Sequence, residues 1–320
     1  MAKSIKLTSR DILFPQYRGR LVEGITYNPS NDTVMWVDII AAEVHRVHHL
    51  DWTTHEILKF SSAPAESIGS IALTNNDNII IVCCKHGLAK GDFTKKSIEY
   101  FYRFQFDSAY LRSNDGYIDP WGNLWLGIMN DFPYPVKNQG KLIRVGCHDL
   151  EVTTMVDNTI ISNGTAFSSD SKSIFWTDSA NHLIWKFDYD LHSNELTNKR
   201  VFADIAKLTN SNGEPDGMTI TKDNEIYSAV WGQSKIVHLS DQGEIVEEFQ
   251  LPAEQCSCVT IGGKDGNTLF ITTAHKQLDD REAVIDPSDL QGDLGGFIYS
   301  ITLDRSLNGR NKFIWGGKVN

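Results

Sequence analysis

The feature that most constrains this chain is a unit of roughly 40 to 50 residues that recurs along it. Each copy has a polar lead-in, usually ending at a glycine, followed by short apolar runs separated by polar turns. The fullest copy begins at residue 212 and is interpreted as four short strands and their turns. The copies begin near residues 24, 69, 116, 164, 217 and 259, which lie 45, 47, 48, 53 and 42 residues apart. This pattern predicts an all-β fold, a six-bladed β-propeller of four-stranded antiparallel blades.

The extent of the repeat decides the number of domains. A chain of 320 residues would ordinarily suggest two domains, but the repeat runs nearly from end to end, so we expect residues 1–320 to form a single domain. With 41% hydrophobic and 22% charged residues, the chain has ample material for a core.

Charge and composition exclude several kinds of partner. The formal net charge of −11 disfavours nucleic acid and anionic membrane surfaces. The first residues lack an apolar segment long enough for a signal peptide, and no apolar run approaches the length of a membrane span, so we expect a cytoplasmic protein. The five cysteines show no disulfide framework and are interpreted as buried thiols. We expect a monomer or a weak homodimer.

Segments outside the repeat suggest loops and closing strands. We expect surface loops at residues 130–139 and 276–293. Either the patch 12–14 or the patch 313–315 is expected to cover the open edges of the array. The histidines of the first copy, at positions 45, 48, 49 and 55, are interpreted as a solvated edge rather than a metal site.

The residues that lead into the first strand of each blade should meet around one mouth of the central channel. They are Glu23, Ile68, Asn114 with Asp115, Asn163, Asp216 and Cys258. Glu23, Asn163 and Asp216 each stand directly before a glycine. Taken singly, Asn-Gly and Asp-Gly are ordinary turn dipeptides. Because three oxygen-bearing side chains from separate blades converge on one point, we favour a functional site.

Two carboxylates and one carboxamide are hard oxygen donors with a combined charge of −2. They suit one divalent cation such as Ca, Mg or Mn, and Zn is also compatible with oxygen ligands. Two buried carboxylates without a cation would repel each other in a low-dielectric channel. Three protein ligands leave positions for water and substrate, as a catalytic ion requires.

Four motifs in order resemble those of the SMP-30/gluconolactonase/LRE family, which includes regucalcin and sugar lactone lactonases. They are Leu21-Val22-Glu23-Gly24, residues 112–122 with Arg112, Asn114 and Asp119, Ser162-Asn163-Gly164, and Pro215-Asp216-Gly217-Met218. The resemblance spans about residues 15 to 300, and each motif stands at the start of its own blade.

The resemblance implies roles for individual residues. Glu23, Asn163 and Asp216 would be the metal ligands, Asp216 would also transfer the proton, and Arg112 and Asn114 would hold the substrate. The implied reaction is hydrolysis of a small-molecule sugar lactone. Arg112 also has a plainer interpretation, as a surface residue paired with Asp115 or Asp119.

The sequence departs from the family pattern after Gly127-Ile128-Met129. Family members often carry an acidic residue in the following loop, and here either Asp131 takes that substrate-binding role or Phe132 lines the pocket. At Thr165-Ala166 the chain also lacks the usual apolar-acidic pair.

Two alternatives to a sugar lactonase stay open. The first is another enzyme on the same scaffold, either a phosphotriesterase or a strictosidine-synthase-like condensing enzyme. The second is a non-catalytic calcium-binding protein or an interaction scaffold. A scaffold of the WD-repeat kind is disfavoured, because Trp36-Val37-Asp38 and Trp176-Thr177-Asp178 lack the Gly-His partner of that repeat.

Overall fold

The structure is a computed structural model that describes residues 2–51, 53–60, 66–106, 109–131, 138–280 and 283–319. In these residues the protein consists almost entirely of short strands joined by tight turns, which confirms the all-β prediction. The only α-helix in them is α1 (Ile205–Thr209), and 3-10 turns cover Ser9–Asp11 and Ser179–Asn181. No helix within these ranges is long and apolar enough to cross a membrane.

The strands are β1 (Lys3–Lys6), β2 (Val22–Asn28), β3 (Thr33–Asp38), β4 (Glu43–His48), β5 (His55–Lys59), β6 (Ile68–Leu73), β7 (Ile79–Cys84), β8 (Gly87–Asp92), β9 (Ser97–Arg103), β10 (Leu111–Ile118), β11 (Leu124–Asn130), β12 (Gly140–Val145), β13 (Val152–Thr159), β14 (Ser162–Phe167), β15 (Ser173–Asp178), β16 (Leu183–Asp190), β17 (Glu195–Asp204), β18 (Glu214–Ile220), β19 (Ile226–Trp231), β20 (Lys235–Leu239), β21 (Ile245–Gln250), β22 (Gln255–Gly262), β23 (Thr268–Ala274) and β24 (Ile298–Thr302).

Sheet pairing follows chain order. Strands β2–β5, β6–β9, β10–β13 and β14–β17 form four separate four-stranded antiparallel sheets. Strands β18–β21 pair in the same way, and a single bridge between Trp231 and Gln255 joins them to β22–β24. With β1 added in parallel to β21, these strands count as one eight-stranded sheet.

The innermost strand of each group faces a common axis. Strand β2 contacts β6, β6 contacts β10, and the series continues through β14, β18 and β22 back to β2, so the contacts close into a ring. This is a propeller-like arrangement. Strands β2, β6 and β14 are buried along their whole length, as expected of strands covered on both sides.

Each of these six strands has a register shift near its start. The shifts lie between Glu23 and Thr26, Ile68 and Ser70, Ser113 and Gly116, Ser162 and Thr165, Pro215 and Met218, and Cys256 and Cys258. A β-bulge bends its strand and changes the direction of a side chain. The six lead-in positions are therefore bulges within strands, not turn dipeptides.

Two glycines in these bulges are required by close packing. A Cβ on Gly164 would lie 2.7 Å from the carbonyl oxygen of Asp216, and a Cβ on Gly217 would lie 2.5 Å from the Cys258 Sγ. Neither glycine has a positive φ, so the turn interpretation does not explain them. The absence of a side chain lets neighbouring innermost strands approach each other at the site.

The structure tests the interpretation of the histidines in the first sheet and of the two terminal patches. His45 is fully buried, stacks on Trp36 at 5.3 Å and lies 2.9 Å from His55, so the solvated-edge interpretation is wrong for His45. Of the two terminal patches, residues 12–14 extend the edge of β24, because Ile12 bridges Tyr299 and the Leu13 N–H donates to the Ile298 carbonyl. The patch 313–315 instead belongs to a segment, residues 308–317, that we call the crossing segment.

We predict that Gly164→Ala destabilises the fold. The new methyl group would meet the backbone of β18 at Asp216 and Met218, and overpacking of this kind costs about 1–3 kcal/mol. Thermal unfolding measures the effect, with Ser193→Ala in the exposed turn after β16 as the control. A Gly164→Ala protein as stable as the control would contradict the packing argument.

Candidate metal and substrate site

Acidic side chains converge where the innermost strands begin. The ligand atoms of Glu23 on β2, Asp115 on β10 and Cys258 on β22 all lie within 4.8 Å of one another. Glu23 is buried, and its Oε2 accepts a hydrogen bond of 3.0 Å from the Gly24 N–H. Among the described residues, this is the only group of three His, Cys, Asp or Glu side chains compact enough to hold a metal ion.

Two further oxygens of the site lack partners. Asn163 Oδ1 and Asp216 Oδ1 are both buried and accept no hydrogen bond. The Asn163 amide donates to Ser179 Oγ at 3.1 Å, and that hydroxyl donates to the Pro215 carbonyl at 2.7 Å. Ser179 therefore fixes the amide orientation that leaves the Asn163 oxygen as the free acceptor. Buried oxygens are seldom left without a partner unless a ligand or ion supplies one.

The carboxylates resist ionisation when no cation is bound. Burial raises the pKa of Glu23 well above its usual value, and the charge of Asp115 raises it further. Burial likewise raises the pKa of Asp216, with added repulsion from Glu23 and Asp115. The pKa of Asp115 rises to about 6, mainly through burial, and the Lys312 ammonium offsets part of that rise. The three groups thus share one low-dielectric region.

The donor set fits a divalent cation. The partnerless oxygens of Asn163 and Asp216 and the carboxylate of Glu23 are hard donors, and the charge of Glu23 raises the pKa of Asp216. Asp115 and Cys258 adjoin Glu23 and offer a second, softer set of donors. The sequence had placed Asp115 and Cys258 at the mouth but had assigned no role to either.

A basic group borders the carboxylates. Arg112 Nη1 donates to the Asn114 Oδ1 at 2.8 Å and to the Ser113 carbonyl at 2.9 Å, and Asn114 Nδ2 donates to the Ser162 carbonyl at 3.1 Å. Asn114 therefore anchors the guanidinium to β14. Arg112 Nε lies 3.8 Å from Asp131 Oδ1, and Lys85 Nζ bonds the other oxygen of Asp131.

The structure settles how Arg112 is paired. Arg112 is buried and faces Asp131, so the interpretation as a surface residue paired with Asp115 or Asp119 is wrong. Asp119 instead accepts hydrogen bonds from the backbone N–H groups of Trp121 and Asn123 in the turn that follows β10. Phe132, the alternative lining residue, lies outside the described residues.

Sequence reasoning missed Lys85. The sheet β6–β9 begins with the apolar lead-in residue Ile68, so no site residue was expected from it. Lys85 follows the second strand of that sheet, β7, and reaches Asp131 across 46 residues of sequence. Residues that follow the second strand of each sheet can therefore also reach the site, although nothing in the local sequence around Lys85 indicates it.

Comparison with known proteins agrees with this class of fold. A sequence profile described as "SMP-30/Gluconolactonase/LRE-like region" matches residues 21–275. The cell growth-regulated gene 1 protein of Candida albicans is 46% identical over 97% of this chain and 98% of its own length. The 6-deoxy-6-sulfogluconolactonase of Pseudomonas putida is 28% identical over 75% of this chain and 79% of its own. The structure of a calcium-binding protein, regucalcin, from Agrobacterium tumefaciens superposes with a TM-score of 0.82 at 22% identity, covering 98% and 99% of the two chains.

The fold and site thus define an all-β, propeller-like protein with acidic residues gathered at its axis. The chain belongs to the SMP-30/gluconolactonase/LRE family.

We predict that the metal-free protein loses stability as the pH rises. Asp115, Glu23 and Asp216 have folded pKa values above their ordinary values of 3.8, 4.5 and 3.8. From about pH 4 upward the folded state therefore keeps protons that the unfolded chain has released, and its stability falls through the folded pKa values.

The measurement is thermal unfolding in EDTA from about pH 4.5 to pH 7.5, on wild type and Asp216→Asn. The fall should be shallower in the variant. The matched control is Asp188→Asn, which removes an exposed carboxylate paired with Arg200. Parallel pH profiles for wild type and Asp216→Asn would contradict the electrostatic argument.

Proposed function

We propose that the protein is a metal-dependent hydrolase that opens the ester ring of a sugar lactone. The observation that carries the proposal is the pair of buried, partnerless oxygens on Asn163 and Asp216 beside the Glu23 carboxylate. The names of relatives give independent support, because one of them is a sulfogluconolactonase.

Glu23, Asn163 and Asp216 are the proposed ligands of one divalent ion, with Ca, Zn, Mg and Mn as candidates. All three side chains sit on bulges of strands rather than on loops, so their positions are rigid. When bound, such an ion polarises the ester carbonyl and lowers the pKa of water. The calcium binding of the regucalcin relative is a property of that protein, and it makes Ca the first ion to test.

Asp216 is the proposed proton-transfer residue. Its Oδ1 is buried and has no hydrogen-bond partner, so the carboxylate has an acceptor available for the proton of a water molecule. In the proposed step the water oxygen bonds to the carbonyl carbon and Asp216 takes a proton from that water. The bond between the carbonyl carbon and the ring oxygen then breaks, and the ring oxygen receives the proton and leaves as a hydroxyl group.

Arg112, Asn114 and Asp131 form the proposed substrate-binding group, with Lys85 as an addition from the structure. The Arg112 guanidinium offers a rigid fork of donors to sugar oxygens, and Asn114 holds that fork in place. Asp131 offers acceptors for sugar hydroxyls. The ammonium of Lys85 and the guanidinium of Arg112 lie beside the Asp131 carboxylate and orient it.

The same proposal includes a six-bladed, single-domain architecture. The closed ring of six innermost strands supports it, because the eight-stranded sheet splits into two blades if the single Trp231–Gln255 bridge is set aside. A cytoplasmic location and a monomeric or weakly dimeric state stay predictions.

The other candidates differ in what they require of the site. A condensing enzyme without a metal would have no use for partnerless Asn163 and Asp216 oxygens beside Glu23. A phosphotriesterase would bind the ion but act on a different substrate, and a calcium-binding protein would bind the ion and catalyse no reaction. Activity measurements separate both from a lactonase.

We predict that lactone hydrolysis depends on a divalent ion and on Asp216. EDTA-stripped protein should show only the spontaneous rate on a panel of aldonolactones, and one of Ca, Mg, Mn or Zn should restore activity. Asp216→Asn should lower kcat about 10³-fold, as expected for loss of a proton-transfer group. Asp188→Asn is the matched control and should retain activity.

Binding of one divalent ion without turnover of any lactone would contradict the enzyme proposal and favour the binding-protein alternative. Full activity in EDTA would contradict the proposed dependence of hydrolysis on a metal ion.

We predict that Asp131→Asn chiefly raises KM. The variant keeps the shape of the side chain but removes the negative charge that both Lys85 and Arg112 contact. Substrate binding should weaken, while the metal ligands are unchanged. We expect KM to rise about tenfold and kcat to change less than that. Steady-state kinetics checks this, and an unchanged KM would remove Asp131 from the substrate group.

A further inference from the structure

The crossing segment closes the end of the channel opposite the site. The innermost strands run from the acidic cluster to their far ends, and the crossing segment touches all six of them there. Backbone or side-chain contacts join it to Ile220, Phe167, Ile25, Leu73, Tyr117 and Ile261. It also lies beyond residues 21–275, which the family profile matches.

Lys312 is the residue of this segment that enters the channel. Its Nζ donates to the Ile25 carbonyl at 2.9 Å and to Thr26 Oγ1 at 3.1 Å, both on β2. These bonds use two of its three N–H groups. The crossing segment thus fixes an ammonium group between the strand ends and the acidic cluster.

A cavity of about 10 Å³ separates Lys312 from the acidic cluster, with room for about one water molecule. Its wall includes Gly24, Asp115, Thr165, Met218 and Cys258 as well as Lys312. Gly24 directly follows Glu23, while Thr165 and Met218 come two residues after Asn163 and Asp216. The cavity therefore lies immediately below the proposed ligands, on the side away from the mouth.

The charged and titratable groups around this cavity come from β2, β10, β18, β22 and the crossing segment. Glu23, Asp115 and Asp216 are acidic, Cys258 carries a thiol, and the cations are Lys312 below and Arg112 above. The Arg112 guanidinium is paired with Asp131 on the mouth side. The Lys312 charge therefore compensates the lower side of the cluster, and it acts on Asp115, Glu23 and Cys258.

Glu23 takes part in two possible ligand sets. With Asn163 and Asp216 it forms a hard, all-oxygen set, and with Asp115 and Cys258 it forms a compact set that includes sulfur. Asp115 and Cys258 of the second set line the same small cavity as Lys312, so a divalent ion bound there would face the ammonium group, and like charges repel in a buried region. Repulsion of this kind leaves the first set as the favourable one.

We propose that Lys312 is a positioning residue that directs the divalent ion to Glu23, Asn163 and Asp216 and keeps it out of the Glu23–Asp115–Cys258 set. The inference rests on the proposed metal site. The new element is that a residue some 290 positions away from Glu23 decides which of the two ligand sets binds the ion.

Cobalt binding tests the proposal, because a cobalt–thiolate bond produces a charge-transfer absorption that oxygen ligands do not. In wild type, Co²⁺ should bind without that absorption. In Lys312→Met, whose side chain has similar length and no charge, Co²⁺ should bind about tenfold more tightly and show the thiolate absorption. Lys312→Arg restores the positive charge and should behave as wild type. Adding Cys258→Ser to Lys312→Met should abolish the absorption.

The outcomes separate this inference from the proposed function. A thiolate absorption in wild type, or none in a folded Lys312→Met protein that binds Co²⁺, overturns the role of Lys312 and leaves the metal site standing. Absence of divalent binding in both proteins overturns the metal site as well.

Cys258→Ser gives a second test if Lys312→Met does not fold. Cys258 is a non-ligand in wild type under this proposal, and the substitution exchanges one small uncharged side chain for another, so calorimetric affinity for Co²⁺ should change less than about threefold. A loss of binding would show that Cys258 is a ligand and would refute the proposal.

Discussion

Mutual repulsion among buried carboxylates is the constraint on which the rest of the structure depends. Glu23, Asp115 and Asp216 share one poorly solvated region, where Asp115 raises the pKa of Glu23 and both of them raise the pKa of Asp216. Isolated charges are expensive to bury, so the surroundings must supply compensation. Arg112 and Lys312 border the cluster from above and below, and the partnerless oxygens account for the affinity for a cation that we propose.

The scaffold meets this constraint with strands rather than loops. A bulge near the start of each innermost strand changes the direction of its side chains, and glycines allow the strands to pack closely around the axis. Ser179 then fixes the amide of Asn163 through the carbonyl of Pro215. Ligand positions set in this way are held by the same backbone hydrogen bonds that hold the fold together, so site geometry and stability are coupled.

The innermost strands and the candidate metal ligands were predictable because they follow from local sequence patterns. The spacing of the repeat located all six innermost strands, and the residues before their glycines located Glu23, Asn163 and Asp216. Pairings between distant residues were not predictable. Arg112 had nearby acidic neighbours in sequence, yet its partner is Asp131, and Lys85 carries no local signal at all. Similarly, His45 sits in a polar run that suggested solvent, whereas stacking on Trp36 buries it. Lys312 lies 287 residues from the carbonyl that it binds, beyond the reach of any periodicity.

The crossing segment has a consequence for the order in which the protein is made. Every residue of the acidic cluster leaves the ribosome before residues 308–317, and so does every strand that the segment joins. Contacts between such distant parts of a chain form late, because the loop they close costs the most entropy. Until then the growing ring has an axis open at both ends, with its negative charges facing water. A chain that ends before residue 308 therefore lacks the floor of the channel, and its acidic centre lacks the lower counter-charge that Lys312 supplies.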